Sequence, residues 1–200
     1  MNIYLLLIIL LGSVLRLYNL SGLPISLFGD EIDVGYHAWS LITTLKDYTG
    51  HFLPTYIQSL SESRAPLLMY VVAPFVGLLG PSAFSVRLPI ALLGILNIIQ
   101  IYFLTKSLYP AAKYQILNTK YNLGHFAAFI LAIMPWHLQY SRSAFEVTLL
   151  LTLILAGIQL FISGQKKPLY LFLSPLLFIL SLYTYSTTNI GSGGFQNTYG

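Results

Sequence analysis

Long apolar runs alternate with short polar breaks along most of this chain. The runs cover Ile3 to about Tyr18, about Ser85 to Thr105, Gly124 to Tyr140, Val147 to Ile162 and Leu169 to Tyr185. As helices they are long enough, or nearly so, to cross ~30 Å of hydrocarbon. The first reaches that length if Arg16 snorkels at its far end. Helix breakers lie between the runs, as in Asn19-Leu20-Ser21-Gly22-Leu23-Pro24 and Gly164-Gln165-Lys166-Lys167-Pro168. The pattern predicts an all-α fold, a polytopic membrane helix bundle of about five spans, with a long loop from roughly Ser21 to Ser85. Within that loop Ile32, Tyr36, Trp39 and Ile42 recur at helical spacing, opposite a polar stripe of Asp30, Asp33 and His37. This predicts a helix over Glu31 to Lys46 lying along the membrane surface. The stretch from Asp47 to Arg64 has no clear period. Leu67 to Leu79 is apolar but short for a span, which predicts a second helix at the interface or partly buried against the bundle.

Composition narrows the class. Of 200 residues 56% are hydrophobic and only 8% charged, against ~25% charged in soluble domains. The mean hydropathy is +0.73. These values describe an integral membrane protein. The N-terminal run lacks a basic leader and a small-residue cleavage site, so it is expected to stay as a span. The basic residues are scattered, which excludes nucleic acid as a partner. The chain has no cysteine, so disulfides, thiolate metal sites and thiol nucleophiles are excluded.

Lysines and arginines separate. With the N-terminus cytoplasmic, Lys106, Lys113, Lys120, Lys166 and Lys167 fall in inner connections, as the positive-inside rule expects. The acids Asp30, Glu31, Asp33, Asp47, Glu62 and Glu146 then fall on the outer side with Arg16, Arg64, Arg87 and Arg142. Guanidinium binds phosphate and carboxylate bidentately. Carboxylates, arginines and aromatics at one membrane boundary suit a substrate with an anionic head and a lipid tail.

Four short elements resemble those of the type C, multi-spanning glycosyltransferases that use polyprenyl-phosphate-linked sugars. They are Phe28-Gly29-Asp30-Glu31 followed by Tyr36, then Ser63-Arg64-Ala65-Pro66-Leu67-Leu68, then Phe84-Ser85-Val86-Arg87-Leu88-Pro89 with Gly94, then Tyr140-Ser141-Arg142-Ser143-Ala144-Phe145-Glu146. The resemblance covers residues 1–186 and is similar to the N-terminal portion of protein O-mannosyltransferases and lipid A aminoarabinose transferases. Residues 187–200 form a polar, Gly-rich tail, expected to be disordered, and the chain is expected to be part of a longer protein. Ala65-Pro66 replaces the family's paired prolines.

The resemblance implies sugar transfer from a polyprenyl-phosphate donor to a lipid, glycan or protein acceptor on the non-cytoplasmic face of the plasma membrane. It makes Asp30 the catalytic base or acceptor-orienting carboxylate, with Glu31 supporting acceptor binding. It gives the donor phosphate to Arg87 and Arg64, and makes Glu146 the second acid. Some members bind a divalent metal there. In this chain Asp30, Asp33 and His37 are the candidate ligands, and no other cofactor is implied. The plainer readings are a helix cap for Asp30 and Glu31, a headgroup anchor for Arg87, a solvated loop charge for Arg64 and a helical pair of Arg142 with Glu146. The alternative function is a truncated, catalytically inactive membrane protein or interaction fragment.

Overall fold

The computed structural model describes residues 3–59, 62–109, 123–165 and 167–184. Among them the chain forms eight helices and one short hairpin. The helices are α1 (Ile3–Leu17), α2 (Gly29–Thr44), α3 (Leu67–Leu79), α4 (Ala83–Leu108), α5 (Leu123–Ile133), α6 (Pro135–Tyr140), α7 (Glu146–Gly164) and α8 (Pro168–Leu182). Strands β1 (Ile57–Ser59) and β2 (Glu62–Arg64) pair antiparallel, with Ile57 opposite Arg64.

Two helices, α4 and α7, are long and apolar enough to cross a membrane. At 1.5 Å per residue they extend roughly 39 Å and 28 Å. Helices α1, α3, α5 and α8 are apolar but shorter. The expected span over Gly124 to Tyr140 is two helices. Pro135 lacks an N–H and excludes the helical conformation from its predecessor, so Met134 is extended (ψ 119°) and α5 ends there. The connection at 110–122, Lys166 and the segment 185–200 lie outside the described residues. So do Lys113 and Lys120.

Helix α4 is the axis of the fold. It starts with a reciprocal cap, in which the Ser82 hydroxyl accepts the Ser85 N–H and the Ser85 hydroxyl accepts the Ser82 N–H. One core joins α4 to α1 and α5 through Leu5, Ile98, Tyr102, Ala128 and Ala132. A second joins the start of α4 to α2 and α3 through Val34, Ala38, Leu68, Val72, Val76 and Ile90. Helix α7 runs parallel to α4, as Asn97 meets Thr148 and Thr152 while Gln159 meets Ser107. Helix α8 returns antiparallel, with Ser174 bonded to the Gly157 carbonyl. The starts of α4 and α7 therefore share one end of the molecule. Lys106 and Lys167 lie at the other, each over a tyrosine ring.

The helix expected over Glu31 to Lys46 is present two residues earlier, at Gly29–Thr44. It stops at Leu45, which takes a left-handed conformation (φ 58°) and returns its N–H to Leu41. Its apolar stripe of Ile32, Tyr36 and Trp39 is exposed, whereas the expected polar stripe divides, with Asp30 half exposed and His37 buried. His37 is fully buried with Val34, Ala38 and Leu41, because α3 and the loop after α2 cover that face. The apolar segment Leu67–Leu79 is a helix buried on one side, as expected.

Arg16 does not snorkel. It is fully buried and donates to the carbonyls of Gly12, Leu131 and Ala132 and to His137 Nδ1. Gly94 makes room for it on α4. A Cβ there would clash with Ser141 Cβ and lie 3.1 Å from Arg16 Nε. Arg142 does not pair with Glu146. Its guanidinium gathers the carbonyls of Leu15 and Arg16 in the last turn of α1, which that turn cannot satisfy internally, and those of Tyr18 and Leu23 in the loop beyond.

Candidate functional site

The N-terminus of α2 brings Asp30 and Glu31 to the shared end of α4 and α7, and the two side chains part there. Glu31 points inward. Its Oε1 accepts from Arg87 Nε (2.9 Å) and from the Ala144 N–H (3.0 Å). Its Oε2 accepts from Arg87 Nη2 (2.9 Å) and from the Phe28 N–H (3.1 Å). Arg87 gives its remaining N–H groups to the carbonyls of Leu20, Pro24 and Ser26. All five guanidinium donors are thus taken inside the chain, and both side chains have no exposed surface. This pair ties α4, the start of α2, the loop after α1 and the segment before α7 into one unit. In this arrangement Arg87 has no donor for a phosphate and Glu31 no free lone pair for an acceptor. The geometry gives both a structural task in place of the expected binding roles.

Asp30 points outward, half exposed at 49%, and accepts from Arg64 Nη2 at 2.5 Å. Arg64 stands at the end of β2, placed by the hairpin beside α2. Its Nη1 lies 4.0 Å from Glu146 Oε1 on the first residue of α7. Burial alone would lower the affinity of Arg64 for its proton. The hydrogen bond and charge of Asp30, with Glu146 and Asp33, reverse this and raise it. The fold therefore joins Asp30, Arg64 and Glu146, from three distant places in the chain, into one partly exposed cluster.

The trio expected for a metal does not assemble. Asp30 is turned to Arg64, and His37 lies under the ring of Tyr48 with centroids 4.0 Å apart. Among the described residues no three of His, Asp and Glu stand close enough to share an ion.

An apolar groove of about 390 Å³ opens between another face of α2 and the start of α4, walled by Leu27, Ile32, Trp39, Pro81, Ala83 and Val86. On the other side of Ile32 and Tyr36 lies a cavity of about 410 Å³ bounded by Gly29, Asp33 and Tyr48. Sequence reasoning did not find Tyr48, the Ala144 N–H or the carbonyls that hold Arg87. A backbone group carries no mark in the sequence, and Tyr48 lies in a stretch without a clear period. Chemically, the two carboxylates that flank the guanidinium can take up a proton from a hydroxyl, while Arg64 is the cation that can meet developing negative charge.

The chain matches no family model, no curated protein and no solved structure.

Proposed function

We propose that this protein is a membrane glycosyltransferase that moves a sugar from a polyprenyl-phosphate donor to an acceptor hydroxyl outside the cytoplasm. The observation that carries the reading is the partly exposed Asp30–Arg64–Glu146 cluster at the end where α4 and α7 both begin, with an apolar groove along the Ile32–Trp39 face of α2. The four motifs that resemble type C glycosyltransferases converge on that same end. In this reading the bundle crosses the membrane about five times, through α1, α4, the α5–α6 pair, α7 and α8. The lysine-bearing end is cytoplasmic.

The roles follow from the geometry. The lipid tail lies in the groove and the bilayer. Asp30 takes the proton of the acceptor hydroxyl as its oxygen bonds to the anomeric carbon. The carbon–oxygen bond to phosphate breaks, and the phosphate leaves with the electron pair. Arg64, in place of Arg87, meets the charge that develops on it. Glu146 holds Arg64 from the other side. Glu31 and Arg87 keep Asp30 at the mouth of the site.

The test is transfer in membrane vesicles, with a radiolabelled polyprenyl-phosphate sugar as donor. Transfer that falls at least about 100-fold in Asp30→Asn, the scale of a lost general base, with membrane insertion unchanged, is the expected result. Undiminished transfer by Asp30→Asn overturns the assignment.

A further inference from the structure

The loop after α2 carries a surface that the proposed reaction does not use. Along residues 45–56, Leu45, Tyr48, Phe52, Leu53 and Tyr56 are 45–62% exposed. A short segment that shows so much apolar area in one place marks an interaction surface.

The segment holds that surface outward. Leu45 (φ 58°) and Leu53 (φ 41°) both take the left-handed conformation, which a leucine adopts only where its surroundings impose it. They stand side by side, since the Leu53 N–H donates to the Leu45 carbonyl (2.8 Å) and Lys46 bridges Phe52. Inside the turn the side chain of Asp47 is wholly buried and accepts from the Thr49 hydroxyl (2.7 Å) and the His51 N–H (2.8 Å). The segment's one acid is thus turned inward, while Lys46 and the His51 ring are exposed. The Tyr48 ring stacks on His37, with centroids 4.0 Å apart, and fixes the segment to α2. These contacts form a strap in advance, so that little is left to order when it meets a partner.

Place and composition narrow the partner. The Tyr70 hydroxyl, in the first turn of α3, donates to the Pro54 carbonyl (2.9 Å). The Leu67 N–H at the start of α3 donates to the Tyr183 carbonyl just past α8 (3.4 Å). Helix α8 ends where α7 begins, so the strap stands at the end of the molecule that the proposed reading puts at the outer membrane boundary. Leu45 also follows Trp39 and Ile42 at intervals of three, and both are exposed, so the apolar stripe of α2 runs on into the strap. Tyrosine, tryptophan and lysine beside bare leucine and phenylalanine are the side chains that a headgroup layer accommodates. A protein surface fits less well, because lysine is depleted from protein interfaces. The charge of Lys46 complements an anionic headgroup.

We propose that residues 45–56 form a lipid-binding strap, which lays Leu45, Phe52 and Leu53 into the headgroup layer of the outer leaflet and sets Lys46 against an anionic lipid. This goes beyond the proposed reaction and rests on that reading only for the membrane-spanning bundle.

The chain has no cysteine, so one introduced thiol takes a fluorescent label at one place. The test uses the full chain in phosphatidylcholine nanodiscs, with and without phosphatidylglycerol. Phe52→Cys carries the label on the strap, and Leu96→Cys carries it on the exposed middle of α4. Nitroxide lipids quench from the headgroup level or from the chain ends, and iodide quenches from water. The Phe52→Cys label is expected to be quenched by the headgroup-level nitroxide, and by iodide several-fold less than the free dye. Phosphatidylglycerol should strengthen the lipid quenching, and Lys46→Gln, with unchanged circular dichroism, should lose that gain.

Iodide quenching equal to that of the free dye overturns the strap. So does protection from iodide without lipid quenching, which means that protein covers the surface. Equal lipid quenching in both nanodiscs overturns the role of Lys46. Chain-end quenching at Leu96→Cys with no lipid quenching at Phe52→Cys overturns the strap and leaves the spanning bundle standing. No lipid quenching at either position takes the bundle out of the membrane, and the proposed function falls together with the strap.

Discussion

Asp30 and Glu31 are neighbours in sequence, and each meets an arginine, but their surroundings differ. The Glu31–Arg87 pair has no exposed surface, and its hydrogen bonds reach four separate segments. The Asp30–Arg64 pair is open, with Asp30 49% and Arg64 16% exposed, and a second carboxylate waits at 4.0 Å. A buried ion pair is held by its full set of hydrogen bonds and becomes a liability when one partner is lost. An exposed pair contributes little to stability, so its charges remain free to do something else. The same residue types thus form a buried structural tie at one position and an open ion pair at the next. The difference comes from α2, which turns successive side chains about 100° apart.

Breaking the buried pair should have the largest effect. Glu31→Ala or Arg87→Ala is expected to destabilise the fold by about 3–5 kcal/mol, since each leaves an uncompensated buried charge. The double variant should lose less than the sum of the singles. Denaturation in mild detergent, followed by circular dichroism, measures this. Single variants as stable as wild type would mean that the tie does not hold the segments together.

The next effect comes from His37, on the buried face of α2. His37 takes a proton less readily folded than unfolded, where its value is 6.5. Around and below that pH the unfolded chain therefore binds more protons. Stability is complete above about 6.5 and declines as pH falls through it, by at most about 1.4 kcal/mol per pH unit. His37→Gln should flatten the decline between about pH 7 and pH 5. An unchanged slope would remove His37 from the account.

Asp30→Ala should shift stability by less than about 1 kcal/mol, the usual range of an exposed pair. The same substitution should abolish transfer, so stability and activity separate at Asp30 and move together at Glu31. A stability loss at Asp30 as large as that at Glu31 would erase the contrast.

Salt gives the smallest effect. Raising ionic strength shortens the Debye length from ~10 Å at 0.1 M to ~3 Å at 1 M. It should weaken whatever Asp30–Arg64 contributes and leave Glu31–Arg87 untouched. The salt dependence of stability should therefore vanish in Arg64→Gln and persist in Arg87→Ala, if that variant folds well enough to melt cooperatively.

Much of the architecture was legible along the chain. The apolar period placed α4, α7, α8 and α3 within a few residues, because a helix of this composition must bury or present a whole apolar face. Asp30 and Arg64 were legible as candidates because charge is scarce in such a chain. The break at Met134 also carried a local mark, Pro135, which the expected span over Gly124 to Tyr140 passed over. The hairpin carried no such mark. Its three-residue strands are too short for a period-2 signal.

What no pattern along the chain could reveal was the division of work among the arginines. Arg16, Arg64, Arg87 and Arg142 look alike as charges at one membrane boundary. Three of them turn out to hold backbone carbonyls at helix ends and loops, and one faces carboxylates at a partly exposed site. Residue type and helical period settle which groups can ionise and which faces are apolar. Whether a guanidinium finds its five acceptors inside the chain depends on segments tens of residues away meeting around it. Only their packing in three dimensions supplies that, so Arg87 is closed and Arg64 is open.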